Sequence, residues 1–250
     1  MIHKRKDDVA NIWDAATEGW VDFVRTGKDY WRTGVNNPIT FRLIGNVKGK
    51  NVLDLACGEG YNTRILARKG AKVTGIDHSH RLIRLARREE RKEPLGIRYN
   101  LMNANRLKGM PDASFDLVAC FMALHDIENY ESAIAEVARV LKHGGRFVFS
   151  IMHPCFEDMV VDGVRTNAAE RYFDITRHLI EWKMKRLTKQ FKTVSFHRSL
   201  TNYSLVLAKN NLLISRLVEP RPTKEAMRKH PKLREVLSKP QSIVFDTVKL

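Results

Sequence analysis

Two carboxylates, a pair of glycines and three histidines carry most of the chemistry legible in this chain. Asp54 falls within Asn51–Ala56, an apolar run with a single charge, the pattern of a strand buried on both faces. Gly58 and Gly60 follow, and allow a turn tight enough for a ligand to approach the backbone. A helix is expected next, with Asn62 as its cap, Ile65 and Leu66 facing inward, and Gly70 after its end. Lys72–Ile76 then reads as a second strand, closed by Asp77. Strand, glycine loop, helix and strand form a βαβ unit, which binds a nucleoside at the C-terminal edge of its strands.

Charge narrows the nucleoside. A dinucleotide site would show three glycines in the order GxGxxG, so that a pyrophosphate can rest on the helix N-terminus. Thr63 occupies the third of those positions, and Asp54 and Glu59 would repel a pyrophosphate. The two carboxylates suit a ligand that is positive at that point, through a sulfonium and an amino group. Asp77, 23 residues after Asp54, stands where an acidic side chain accepts from ribose hydroxyls.

With Asp77 downstream, the series Asp54-x-Ala56-x-Gly58-x-Gly60 resembles the class I S-adenosylmethionine (SAM)-dependent methyltransferases. The resemblance implies SAM as cofactor and S-adenosylhomocysteine as product. Carried onto this sequence, it gives Asp54, Ala56, Gly58 and Gly60 the methionine end of the site and Asp77 the ribose. His78 would lie beside the adenine, Asn103 and Ala104 at the adenine edge, and Phe121 on the methionine side. Asn103 departs from the family, which usually carries an acidic residue there; its amide oxygen can still accept from the adenine amino group.

The elements that must position these residues follow in order. Ser79 caps a helix whose apolar stripe is Leu82, Ile83, Leu85 and Ala86, ended by Pro94 and Gly96. Ile97–Met102, Phe115–Phe121 and Arg146–Met152 read as the third to fifth strands, with a helix over Ser132–Leu141 stopped by Lys142-His143-Gly144-Gly145. Leu200–Lys209 is a helix with Asn210-Asn211 as its stop, and Leu212–Val218 the sixth strand. Residues 223–238 read as a charged helical linker, and Ser242–Val248 as a seventh strand, antiparallel at the sheet edge. The expected fold is α/β: a Rossmann-like, seven-stranded, mostly parallel sheet with helices on both faces. The family spacing covers about 48–152.

Two segments fall outside that repeat. In the leader, 1–47, Trp13, Ala16, Trp20 and Phe23 share one helical face. Gly27 and Gly34–Pro38 break the pattern, and a second helix is expected over Ile39–Val47. The leader reads as a lid: Trp13, Trp20 and Phe23 should glue it to the sheet, while Tyr30 and Trp31 are candidate acceptor contacts. Within the remaining domain, 48–250, residues 153–200 read as an insertion over the acceptor site, with His197 a candidate contact.

Composition excludes several classes. Hydrophobic residues are 43% and charged residues 29%, as in a globular protein, and no apolar run reaches the roughly 18 residues of a membrane span. The basic start has no apolar stretch behind it, which argues against a secretory signal, and a cytoplasmic location is expected. Three scattered cysteines fit neither a disulfide framework nor a zinc site, and no metal is expected. The net charge is +16, gathered in 81–92, 183–192 and 221–234. Such runs could track a phosphate backbone, but their apolar interleaving is that of solvated helix faces, so nucleic acid is open as a partner without being favoured.

Methyl transfer is an in-line displacement that needs proximity and orientation, and a general base only where the acceptor must lose a proton. His125, just past the fourth strand, and His153, closing the fifth, are the candidates for catalysis. Pro154-Cys155 raises covalent catalysis of the pyrimidine C5 kind, but the pair follows the fifth strand, whereas in the DNA enzymes it follows the fourth. The Asp/Asn-Pro-Pro-aromatic segment of base and glutamine methyltransferases is replaced by Ala119–Leu124, which has an apolar lining. A small, partly hydrophobic organic acceptor is therefore expected, and the ubiquinone/menaquinone type is the nearest resemblance. The alternatives are an RNA or protein methyltransferase using the basic surface, and a SAM-binding protein without catalysis.

Overall fold

The computed structural model describes residues 8–161, 164–183, 185 and 187–250; the basic start of the chain lies outside them, as do two positions of the 183–192 run. Helix α1 (Asp8–Arg25) leads, and a π-helical turn, Arg32–Asn36, runs directly into α2 (Asn37–Ile44). The nucleoside unit comprises β1 (Asn51–Leu55), α3 (Tyr61–Arg68) and β2 (Lys72–Asp77), followed by α4 (His80–Lys92) and β3 (Arg98–Leu101). Next come β4 (Phe115–Phe121), α5 (Tyr130–Val140) and β5 (Leu141–Met152). Two hairpins follow, β6 (Asp158–Val161) with β7 (Val164–Asn167), and β8 (Thr176–Trp182) with β9 (Phe191–His197). The chain continues through α6 (Leu200–Lys209), β10 (Leu212–Val218), α7 (Lys224–Lys229) and β11 (Ser242–Lys249).

Among the described residues one seven-stranded sheet runs in the order β10-β11-β5-β4-β1-β2-β3. Strands β1 to β5 are parallel where they pair, and β11 is antiparallel to both its neighbours. Alternate residues feed opposite cores. Leu53, Leu55, Val118, Cys120, Phe147 and Phe149 pack with α5 and α6 on one face, and Val52, Leu117, Ala119 and Val148 with α2, α3 and α4 on the other. The strands are thus apolar throughout because both faces are covered.

Three local expectations are corrected. Helix α3 starts at Tyr61 with left-handed Gly60 as its cap; Asn62 is instead buried, its Oδ1 accepting from Asn37 Nδ2 at 2.8 Å. Gly34–Pro38 do not break the leader: they sit in the π turn and first turn of α2, where Pro38 lacks an N–H that the helix would have left unpaired. The seventh strand is not at the edge. It lies between β5 and β10, pairing Ser242 with Met152 through to Val248 with Arg146, and β10 forms the border.

The leader's aromatics do not grip the sheet either. Trp20 packs against Trp182 (ring centroids 6.1 Å apart) and Phe191 (6.2 Å), and Phe23 against Trp182 (5.8 Å). Helix α1 is therefore clasped to the β8–β9 hairpin of the insertion, and Gly19 marks the crossing, since a Cβ there would collide with the Phe191 ring. Lys189 pairs with Glu18, and Thr188 Oγ1 donates to Asp22 at 2.6 Å, at the rim of the clasp. The other side of α1 meets the nucleoside unit: Asp14 accepts from the Ser79 hydroxyl and Arg81 N–H, and Arg25 pairs with Glu59 at 2.8 Å.

Candidate cofactor and acceptor site

A cavity of about 1,680 Å³ lies at the C-terminal ends of β1, β2 and β4, between the sheet and the α1–hairpin clasp. At its inner end Asp54 is buried and accepts from Thr63 Oγ1 at 2.6 Å. Burial, and then the nearby Asp77 charge, push the Asp54 carboxyl up to about 7. Asp77 ties the loop together: its Oδ2 accepts from the Gly58 N–H at 2.9 Å and its Oδ1 from the Ser79 N–H at 2.9 Å. Burial raises this carboxyl too, against those bonds. Gly60, at φ +85°, lies so close to Tyr99 that a Cβ would overlap its hydroxyl. Ala56 (φ 57°) and Met122 (φ 51°) are left-handed without being glycine, one at the end of β1 and one at the end of the adjacent β4. The Met122 N–H is held by Ser150 Oγ at 3.0 Å.

Asp54, Ala56, Gly58, Asp77, His78, Asn103, Ala104 and Phe121 all line this cavity, while Gly60 shapes the loop from behind. Asn103 Oδ1 accepts from the Asn105 N–H at 2.9 Å, and keeps a second lone pair for a ligand. Glu59 also lines the cavity, with Oε1 buried and without a hydrogen-bond partner. Its Oε2 accepts from Arg25 at 2.8 Å and Arg64 at 3.0 Å. The sequence reading missed Arg32. Its guanidinium lies over the Tyr61 ring, 4.2 Å from the centroid, in the cavity wall. Arg32 Nη2 and Trp31 Nε1 are buried there without a hydrogen-bond partner. Two buried donors facing two carboxylates fit a ligand end carrying both a carboxylate and an ammonium.

The comparisons agree with this geometry. Residues 53–149 match the family model described as a methyltransferase domain. A crystal structure of a SAM-dependent methyltransferase from Mesorhizobium loti superposes with a TM-score of 0.71 at 28% identity, over 85% of this chain and 96% of that one. Residues 53–149 form a methyltransferase domain of the class I, SAM-dependent kind. Demethylmenaquinone methyltransferase from Tropheryma whipplei is 39% identical over 114 residues, 45% of this chain and 46% of that protein. Ubiquinone biosynthesis O-methyltransferase from Coxiella burnetii is 34% identical over 156 residues, 61% of this chain and 64% of that protein. The matches thus span about half to under two-thirds of these curated relatives.

In this methyltransferase the cofactor is SAM, and the buried donors and carboxylates described above fit its methionine end and ribose. The remaining half of the cavity is walled by Trp13, Trp20, Phe23, Ile180 and Trp182, and turns polar at His125, Asp126, Glu157 and His178. His125 lines it, with Nδ1 unpartnered and Nε2 3.5 Å from Asp126 Oδ1. Burial, then the Arg198 charge, push its imidazole down to about 3, so it stands neutral and is a weak proton acceptor. Asp126 is raised well above the usual carboxylate range by burial.

The other candidates lie away from this space. His153 is buried between Glu219 (Nε2 to Oε1, 3.0 Å) and the Cys155 N–H (3.2 Å to Nδ1), outside the cavity lining, so both ring nitrogens are engaged. Cys155 is likewise absent from the wall, and burial raises its thiol, the reverse of what a nucleophile requires. Tyr30 stacks on His230 with centroids 4.7 Å apart instead of facing the cavity, whereas Trp31 faces it. His197 sits behind the wall, not on it. Among the described residues, no helix is long and apolar enough to cross a membrane.

Proposed function

We propose that this methyltransferase acts on a small, partly hydrophobic aromatic acceptor of the quinone-precursor kind. One observation carries the reading: a single cavity joins the SAM end to an aromatic-walled end that turns polar where it meets the end of β4. When bound, SAM supplies a methyl group on a sulfonium already activated for transfer. Arg32 and Trp31 would hold its carboxylate, Asp54 the positive end, Asp77 the ribose, and Asn103 with Ala104 the adenine. The clasp of α1 on β8–β9 excludes water and buries the apolar body of the acceptor against Trp20 and Trp182. The names of the relatives in ubiquinone and menaquinone biosynthesis support the acceptor class.

Titration calorimetry with SAM, S-adenosylhomocysteine, NAD and ATP tests the cofactor end, and a labelled-methyl assay against alkylated catechols, hydroquinones and RNA tests the other. Tight binding of the first two ligands alone, with label on a phenolic acceptor, is the expected result. Label on RNA, or NAD binding, would overturn it.

A further inference from the structure

One pair at the polar end of the acceptor cavity is constrained from every side. Glu157, in the segment after β5, lines the cavity, and its backbone is pinned by bonds to the His153 carbonyl (3.0 Å) and from the Ala168 N–H (3.1 Å). His197, at the end of β9, lies directly behind it with no exposed side-chain surface. His197 Nε2 is 3.1 Å from the Tyr172 carbonyl oxygen, which can only accept, so Nε2 carries a proton. Nδ1 is 2.6 Å from Glu157 Oε1. With Nε2 already protonated, that contact requires a second proton between Nδ1 and Glu157, which makes the ring an imidazolium when it sits on Nδ1. Burial opposes this charge, but the hydrogen bond to Glu157, the Tyr172 carbonyl and the Glu157 and Asp174 charges outweigh it and raise the imidazole.

We propose that Glu157 binds the acceptor's hydroxyl and takes its proton, and that His197 is a positioning residue that holds Glu157 aimed into the cavity. The proposal rests on the methyltransferase reading and deepens it. As the acceptor oxygen forms its bond to the methyl carbon of the sulfonium donor, the O–H bond breaks and the proton passes to Glu157 Oε2. The electron pair of the broken carbon–sulfur bond stays on sulfur. The neighbours leave Glu157 in this role. His125 is neutral and a weak acceptor, burial raises the Asp126 carboxyl well above the usual carboxylate range, and His178 is paired with Thr176 Oγ1 at 2.6 Å. Arg198 beyond Asp126, Asp174 and Tyr172 ahead of β8, Tyr203 on α6, and Cys155 against Tyr172 stand around the pair, and Glu128 lines the cavity on the far side of Asp126 in the chain.

The test uses 4-nitrocatechol, whose absorbance distinguishes the neutral phenol from the anion, bound in the presence of S-adenosylhomocysteine. The parent protein should prefer the neutral form, because a carboxylate accepts from O–H and repels phenolate. In Glu157→Gln the affinity for the neutral form should fall about tenfold and the preference between forms disappear. His197→Asn keeps a donor beside Glu157 and should retain the preference for the neutral form, whereas His197→Leu removes the donor and should lose it. Glu157→Asp should retain the preference at reduced affinity; if Glu157→Gln does not fold, this variant, His197→Asn and His197→Leu carry the test. Equal affinity and preference in parent and Glu157→Gln, or no probe binding by the parent at millimolar concentration, overturns the proposal. Calorimetry with S-adenosylhomocysteine separates the two levels: if the parent does not bind it, the methyltransferase reading itself falls.

Discussion

At the cofactor end of the cavity the polar contacts close locally: Asp54 to Thr63 spans nine residues and Asp77 to Gly58 nineteen. At the acceptor end they reach across the chain, as Asp22 to Thr188 does over 166 residues. The first end is a backbone device, set by glycine conformations and strand ends in one βαβ unit. The second is a side-chain device, in which two segments outside the seven-stranded sheet hold each other by their aromatic rings. A loop built from backbone tolerates little substitution, whereas a clasp built from side chains can be rebuilt for another acceptor without disturbing the cofactor.

Substitutions can break or sharpen that contrast. Gly60→Ala forces a left-handed alanine into the Tyr99 hydroxyl and should cost about 2–5 kcal/mol, with SAM binding lost. Denaturant unfolding and calorimetry check it; near-parent stability would show that the loop is not fixed by its backbone. Asp54 makes the contrast pH-dependent. Its folded carboxyl titrates near 7 and its unfolded one near 3.8, so the folded state binds more protons in between. Stability without ligand should therefore fall as pH rises from 4 to 7, by up to about 4 kcal/mol, and Asp54→Asn should flatten that slope. A positive ligand reverses the penalty, so SAM binding should strengthen over the same window and release protons.

The clasp predicts smaller and more local effects. Trp20→Ala should cost about 2–3 kcal/mol and speed amide exchange in α1 and β8–β9 while β1, β2 and β4 keep their protection. Equal acceleration in the central strands would make the two ends one cooperative unit. Asp14→Ala removes the acceptor for Ser79 and Arg81 and should cost about 1 kcal/mol, read as a small drop in melting temperature with S-adenosylhomocysteine affinity retained.

The same contrast explains what the sequence disclosed. The nucleoside unit was legible from residues 51–77 because glycine, charge and apolar runs act within one turn of chain. The clasp was not, since Trp20 shows a helical face but not which surface receives it. Gly34 and Pro38 were read as breaks because each usually is one; a π turn places both inside a continuous helical path. The position of β11 was misread because antiparallel orientation follows from order along the chain, whereas its neighbours are set by packing. Arg32 carried no sequence signal at all: it matters only because the turn after Asp29 buries it beside Tyr61.

Ala56 and Met122 hold left-handed backbone at the ends of neighbouring strands, where glycine would sit without strain. Each such residue costs on the order of 1 kcal/mol, and the sheet around them holds the distortion in place. Because the bend already exists in the resting chain, an arriving ligand need not create it. Association at this edge should then proceed with little backbone reorganisation, nearly as a rigid lock, and any adaptive fit must come from the aromatic side of the cavity.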